Sequence, residues 1–379
     1  GKEILSLEDY IGSIIGFGGL ASGGVSQLQL SEEESAMLTP PSNVYRNTNS
    51  AIILNGVYTP SSKLDVKVGV LLNKAKTNTF DRNNTSYFTS VLHTEYNDST
   101  AKDNETSSAN IRIKWQPTNR LEILSSTFAK LSNYSANQQL AYSGYNLMNL
   151  EERKRLKEND VRQSLQVTGK LGNTALYGLI TLGYNSQDEN LNVANDSLLF
   201  PTYFTIKEGL YGVHSWVATH SNMYALEAGS KWSLPKGYNI ALALRQSYNK
   251  DHLDTDDTSL DNDKAEGIYK KQSGSLIFEK TTGLLRFKVN ASLTENKYQQ
   301  PSKSENSSAK FNYNSLLRVV FSPKSELILT GSRETHQIDL NRLVDFPIHL
   351  AYDRIQKSST ISSPFINKDA YSIHYRLIN

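Results

Sequence analysis

Apolar and polar residues alternate along much of this chain. The clearest stretch is residues 267–297, GIYKKQSGSLIFEKTTGLLRFKVNASLTENK. Leu285, Phe287, Val289, Ala291 and Leu293 take every second position, and Arg286, Lys288, Asn290, Ser292 and Thr294 fill the places between. Successive side chains of a strand point to opposite faces, so this spacing predicts a ribbon with one apolar and one polar side. Thr281-Thr282-Gly283 supplies a tight turn ahead of it. Five comparable pairs of segments surround other short turns: Pro60-Ser61-Ser62, Pro117-Thr118-Asn119, Leu171-Gly172-Asn173, Leu234-Pro235-Lys236-Gly237 and Ser322-Pro323-Lys324. Turns of this length and composition join antiparallel strands.

What separates the hairpins differs in kind. Residues 77–106, 132–160, 185–210 and 249–266 are long, polar and rich in Asn, Asp and Ser. If successive strands cross a slab, the short turns all fall on one side and the long connections on the other. That asymmetry, with strands of about ten residues, predicts an all-β antiparallel transmembrane β-barrel, whole or in part, with short periplasmic turns and long extracellular loops. On this reading Leu285, Phe287, Val289, Ala291 and Leu293 face lipid. Arg286, Lys288 and Asn290, with Arg245 and Arg318, form a polar row toward the lumen, where carboxylates such as Glu279 and Glu326 are the expected partners. Aromatic residues beside the turns and loops (Tyr58, Trp115, Tyr184, Trp232, Tyr238, Tyr248 and Phe321) suit an interfacial girdle. Residues 150–159 (LEERKRLKEN) read as a short charged helix within the second long loop, and residues 348–355 and 370–378 as further strands. The count comes to about fourteen, or up to sixteen with residues 25–30, 87–96 and 201–206.

Composition sharpens this picture. Only 38% of residues are hydrophobic, and Tyr is abundant at 21. A wall that carries apolar side chains at alternate positions needs no thicker supply. The formal charge of +2 gives no whole-chain signal for nucleic acid. Cysteine is absent, which removes disulfides, thiolate metal sites and thiol nucleophiles. No apolar run is long enough for a transmembrane helix, a test that does not bear on barrels. The seven histidines are scattered, and neither G-x-S-x-G nor H-E-x-x-H occurs. The acidic residues 251–263 lack the ordered ligands and glycine of a calcium loop. The expectation is therefore a non-enzymatic chain with no catalytic residue, cofactor or metal. Residues 1–44, glycine-rich at GSIIGFGGLASGG, read as a separate segment packed against or in a barrel formed by residues 45–379.

Three turn sequences carry a family resemblance: Tyr58-Thr59-Pro60-Ser61-Ser62-Lys63-Leu64, Trp115-Gln116-Pro117-Thr118-Asn119-Arg120-Leu121 and Phe321-Ser322-Pro323-Lys324-Ser325-Glu326-Leu327. The pattern resembles periplasmic turns in Bacteroidota-type TonB-dependent receptors and related outer-membrane β-barrel proteins. No plug domain or TonB box is recognisable, and the strands are fewer than the roughly 22 of such transporters. The resemblance implies a bacterial outer-membrane location and import of a polar nutrient such as a glycan, peptide or siderophore. Its partners would be outer-membrane lipid, an energy-transducing TonB-type protein and a surface lipoprotein, with no nucleic acid. The alternatives are a passive porin, a structural or surface-assembly barrel, and a soluble β-rich adhesin or binding module at the cell surface.

Overall fold

The computed structural model describes residues 44–86, 93–143, 148–196, 209, 211–260, 263–300, 305–322, 325–338, 340–351, 354–356 and 364–377. The glycine-rich segment up to residue 43, with its alternating residues 25–30, and the strand-like residues 201–206 lie outside them.

One antiparallel sheet of 13 strands makes up nearly the whole fold. Its members are β1 (Val44–Ser61), β2 (Leu64–Ser86), β3 (His93–Thr118), β4 (Leu121–Ser143), β5 (Met148–Leu171), β6 (Thr174–Asn195), β7 (Gly212–Ser233), β8 (Tyr238–Asp257), β9 (Lys264–Lys280), β10 (Leu285–Gln299), β11 (Asn306–Ser322), β12 (Ser325–Gln337) and, beyond a long connection, β15 (Phe365–Leu377). Within that connection β13 (Ile348–Ala351) and β14 (Arg354–Gln356) form a small sheet of their own. Each strand of the main sheet pairs with its chain neighbour, and β12 pairs with β15. Among the described residues β1 and β15 are the two edges, and the odd strand number makes them run the same way.

All six strand pairs meet where the pattern places a short turn. β5 and β6 join through Gly172-Asn173, with Gly172 in the left-handed region at φ 60°. β7 and β8 join through a 3-10 turn at Pro235–Gly237, with Gly237 at φ 76° against the Thr282 side chain of the next hairpin. Glycine takes such angles at no steric cost, and Lys236, beside Gly237, also adopts a positive φ of 62° in this turn.

The far side differs from expectation. Much of the four polar connections is strand: β3, β4 and β5 run 26, 23 and 24 residues, roughly twice the predicted length. Residues 150–159, expected as a helix, lie inside β5. Their charges find partners at strand spacing: Arg153 bonds Glu151 two residues away on the same face, and Lys154 meets Glu189 of β6 at 2.5 Å. Cross-strand pairing satisfies the backbone of this charged stretch as fully as a helix would. Residues 348–355 are also not one strand of the wall but the β13–β14 hairpin.

The sheet is two-faced. On β2, Leu71, Asn73, Ala75 and Thr77 are buried, while Leu72 between the first two is 43% exposed. The exposed face of β5 to β8 carries Val161, Leu165, Val167, Leu176, Ile180, Leu182, Leu226, Leu242 and Leu244. Register fixes how the strands lean. Leu121, at the foot of β4, lies in a cross-strand row with Gly169, Leu176, Ser230, Leu242, Leu276 and Ala291, and Ala291 stands six residues above the foot of β10. One residue of climb per strand, at ~3.3 Å per residue and ~4.8 Å between strands, is a tilt of about 35°. Barrel walls tilt by that amount.

Two contacts show that the buried face is concave. Asp251 of β8 accepts a bond from Gln337, at the end of β12, at 3.3 Å, although four strand spacings would set them about 19 Å apart in a flat sheet. The connection after β12 also turns inward as a strap. Leu340, Val344 and Ile348 pack on Leu253 of β8, and Ile338 and Leu343 pack on Tyr269 of β9 and Tyr298 of β10. Tyr269 donates to the Ile338 carbonyl at 2.9 Å, and Lys154 of β5 reaches the Leu350 carbonyl.

Val344 is 2% exposed within the first of these clusters. A carboxylate there would be buried without a partner, so Val344→Asp is expected to release the strap from the wall. Hydrogen exchange should then accelerate at residues 340–348 and stay slow in β8 near its turn with β7. Unchanged protection at 340–348 would mean that the clusters do not hold the strap.

Candidate functional site: the concave face

The residues proposed from sequence for the two rows separate onto the two faces. Leu285, Val289 and Leu293 lie on the exposed face. Phe287 shares that face, packing on Phe278 with ring centres 5.2 Å apart, and Ala291 is half-buried there. Arg286, Lys288, Asn290, Arg245 and Arg318 alternate with apolar residues of that kind and point to the concave side. They do not converge on one spot. Arg286 donates to the Gly283 carbonyl of its own turn, and Asn290 keeps a buried carbonyl oxygen without a hydrogen-bond partner. Arg245 lies 4.0 Å from Glu227, which also accepts from the Tyr177 hydroxyl at 2.9 Å. Arg318 donates to Glu326 at 2.7 Å. Lys288 is beside the buried pair Lys231–Glu279, which meets at 2.6 Å with Asn239 as a further donor to the same carboxylate.

The lining is therefore balanced rather than cationic. Lys114–Glu122, Lys130–Glu158, Arg162–Asp160 and Lys154–Glu189 repeat the arrangement along β3 to β6. Most partners sit on adjacent strands, where facing side chains are close enough to pair. Alternation in the sequence locates these charges on one face. It gives no view of which carboxylate meets which cation, because that depends on strand register.

A cavity of about 480 Å³ lies between the strap and the wall. Its polar lining includes Asp160, Asn185, Gln187, Glu189, Asn249 and Asp251, and the strap adds Leu340, Ile348 and Leu350. That volume and mixture suit a small, hydroxyl-rich or amide-bearing solute. The sequence reading missed this cavity, since its roof comes from a segment read as wall. The one available signal was the apolar run at Leu340, Leu343, Val344 and Ile348 in an otherwise polar connection.

Beyond the apolar zone, β9 and β10 bring Tyr269 and Tyr298 together with ring centres 4.4 Å apart. Burial raises both hydroxyls above the ordinary tyrosine value, Tyr298 to about 12. Among the described residues no cluster of His, Asp and Glu has the makings of a metal site. In the acidic hairpin tip, Asp257 is already occupied: it accepts from the Ser259 amide and hydroxyl and from the Leu260 amide. Asp251 and Asp254 point to opposite faces of the sheet.

No family model matches this chain, and no curated protein matches it. Solved structures do resemble it. The translocator domain of the autotransporter NalP from Neisseria meningitidis aligns at 11% identity over 73% of this chain and 83% of that one, with a TM-score of 0.29. The β domain of the Bordetella autotransporter BrkA aligns at 11% over 82% and 98%, with a TM-score of 0.33. The ferric yersiniabactin uptake receptor FyuA from Yersinia pestis aligns at 11% over 75% and 58%, with a TM-score of 0.30. All three alignments are remote, with TM-scores of 0.33 or below.

Two outcomes test the lining. Lys231→Met takes from Glu279 its closest cation, leaving Lys288 and Asn239 beside the buried carboxylate, and should cost about 3 kcal/mol, whereas Lys231→Met with Glu279→Gln, which keeps an acceptor for Asn239, should recover part of it. Denaturant unfolding of the detergent-solubilised chain reads both, and equal loss in the single and double variants would contradict the pairing. For Tyr298 the folded chain holds its proton to about 12 while an unfolded tyrosine releases it near 10. The native state binds the extra proton in that window, so stability is full below pH ~10 and falls as pH rises toward 12. Tyr298→Phe should make this alkaline loss less steep in unfolding scans against pH, with Tyr269 supplying what remains.

Proposed function

We propose that this chain is the wall of a bacterial outer-membrane barrel that takes a polar solute through its interior, in the manner of a TonB-dependent receptor. The observation that carries the reading is the height of the exposed apolar zone. On β6 it runs from Leu176 through Ile180 and Leu182 to Tyr184, and on β5 from Leu171 to Val161, after which the same face turns to Lys157, Arg155, Arg153 and Glu151. About nine residues at ~3.3 Å each, leaning about 35°, span close to 25 Å, the height of the lipid-facing band of a membrane barrel. Aromatic rings bound it on both sides: Tyr184, Tyr224 and Tyr248 above, and Trp115, Tyr238 and Phe278 near the short turns. A soluble sheet would bury such a face against a second layer. Antiparallel closure requires a further strand between β1 and β15, since bacterial barrels close with even numbers.

The ion-paired lining and the cavity under the strap support a route for an uncharged or weakly charged polar solute. A passive pore is the second reading, favoured by a strap held on the wall by two apolar clusters. Dependence of uptake on the proton-motive force in cells separates the two, and dependence is the outcome expected here.

The membrane assignment has its own test. Tryptophan fluorescence of the chain folded into vesicles should be quenched by brominated acyl chains, because Trp115 is 47% exposed on the apolar face. Leu244, 71% exposed in mid-band, gives the complementary variant: Leu244→Arg should weaken insertion by about 2–4 kcal/mol. A chain that stays monomeric in buffer, with unquenched tryptophan, would overturn the reading.

A further inference from the structure

The outward face beyond the apolar zone is not uniform around the wall. On β1, β2 and β5 it presents Arg46, Lys74, Lys76, Arg153, Arg155 and Lys157, all exposed. Facing them on the same side are Asp103, Glu105 and Glu151, which pair with Lys76, Lys74 and Arg153, and Asp188 of β6, which stands opposite Lys157 in register without an ion pair. Arg46, Arg155 and Lys157 have no carboxylate partner among the described residues. Register draws the group together. Lys76 lies in one cross-strand row with Asp103, Ser135 and Arg155, and Arg46 lies in the next with Asn78, Ala101, Asn137 and Arg153. The intervening side chains are short, and a groove of about 580 Å³ opens across them, lined by Arg46, Lys76, Asp103, Arg153 and Arg155. On β7 to β9 the same face carries Asp254, Asp256 and Glu266 against Lys250, Lys264 and Lys270, with two ion pairs among them and no cationic excess.

We infer that the groove over β1 to β5 binds the phosphate-bearing headgroup of an anionic membrane lipid. The inference rests on the membrane reading above, which sets the groove just outside the hydrocarbon. At that level a lipid keeps its chains against Leu72, Leu131 and Val161, all exposed on the same strands, and brings its phosphate up to the arginines. Short Ser, Ala and Asn side chains leave the space a headgroup needs. Arginine donates two parallel bonds to a phosphate, and the partners that would compete for Arg46 and Arg155 are missing among the described residues. Basic groups next to the bilayer attract anionic lipid in this way. A free anion would have no reason to prefer a groove continuous with an apolar wall, so the lipid is the favoured occupant.

The test uses the whole chain, first reconstituted into phosphatidylcholine vesicles and assayed for insertion by brominated-lipid quenching. Lipid retention is then measured by native mass spectrometry after exchange into micelles containing phosphatidic acid, whose headgroup is a phosphomonoester. The triple variant Arg46→Gln, Arg155→Gln, Lys157→Gln removes only cations outside the ion pairs described above. It should insert normally and retain phosphatidic acid roughly ten- to a hundred-fold more weakly, with phosphatidylcholine retention unchanged. The control Lys250→Gln, Lys264→Gln, Lys270→Gln removes the same charge from the other side and should retain phosphatidic acid as the parent does. Equal weakening by both variants, or none by the first, would overturn the inference. So would displacement of the lipid by millimolar inorganic phosphate. Failure of the parent chain to insert would instead count against the membrane reading itself.

Discussion

A strand turns successive side chains to opposite faces, and a single layer of strands can therefore hold oil on one side and charge on the other. Everything else in this structure depends on that constraint. Backbone groups in hydrocarbon must find partners within the sheet, and each pairing of β1 to β12 in chain order supplies them. Once the ladder is fixed, residue parity decides the environment of every side chain. Leu71 and Leu72 are neighbours in sequence, yet one is buried and the other exposed because parity differs.

The concave side works by a different balance. Charges there are costly to bury, and the fold offsets this by placing carboxylates next to many of the cations it turns inward, as with Lys231–Glu279 and Arg162–Asp160. Pairing keeps the interior polar while leaving little net field to repel or trap a charged solute. The strap adds a small apolar core to this polar side, with Leu253, Val344 and Leu340 at its centre. It narrows the concave space and roofs the cavity at the level where the strands leave the apolar zone.

Fold class, the six hairpins and the two faces were legible because each rests on local information: alternation, Pro and Gly at the turns, and the parity of Leu285 to Leu293. Strand length was not. The outer halves of β2 to β6 are dominated by Asn, Ser, Thr, Gln and charged residues with only scattered apolar ones such as Leu140, Leu150 and Leu191, so little alternation in hydrophobicity marks them, and the LEERKRLKEN stretch has helix-forming composition. Cross-strand ion pairs such as Lys154–Glu189 stabilise it as strand instead. The strap was missed for the same underlying reason: its role is set by what it meets on β5 to β10, which no local pattern reports. Alternation separates Arg286, Lys288 and Asn290 from the apolar row beside them, but their partners depend on register and emerge only with the sheet.

On this account odd residues of β10 from 285 to 293 face lipid, and even residues face an aqueous or polar interior. The chain has no cysteine, so a spin label can be attached at each position from 285 to 294 in turn without background. In vesicles, collision with oxygen, which concentrates in hydrocarbon, should be high at 285, 287, 289, 291 and 293 and low between them. A water-soluble nickel relaxant should show no access at those odd positions. A period of two in that phase is the result predicted here. Loss of the period, or nickel access at Val289 in the middle of the odd face, would contradict it.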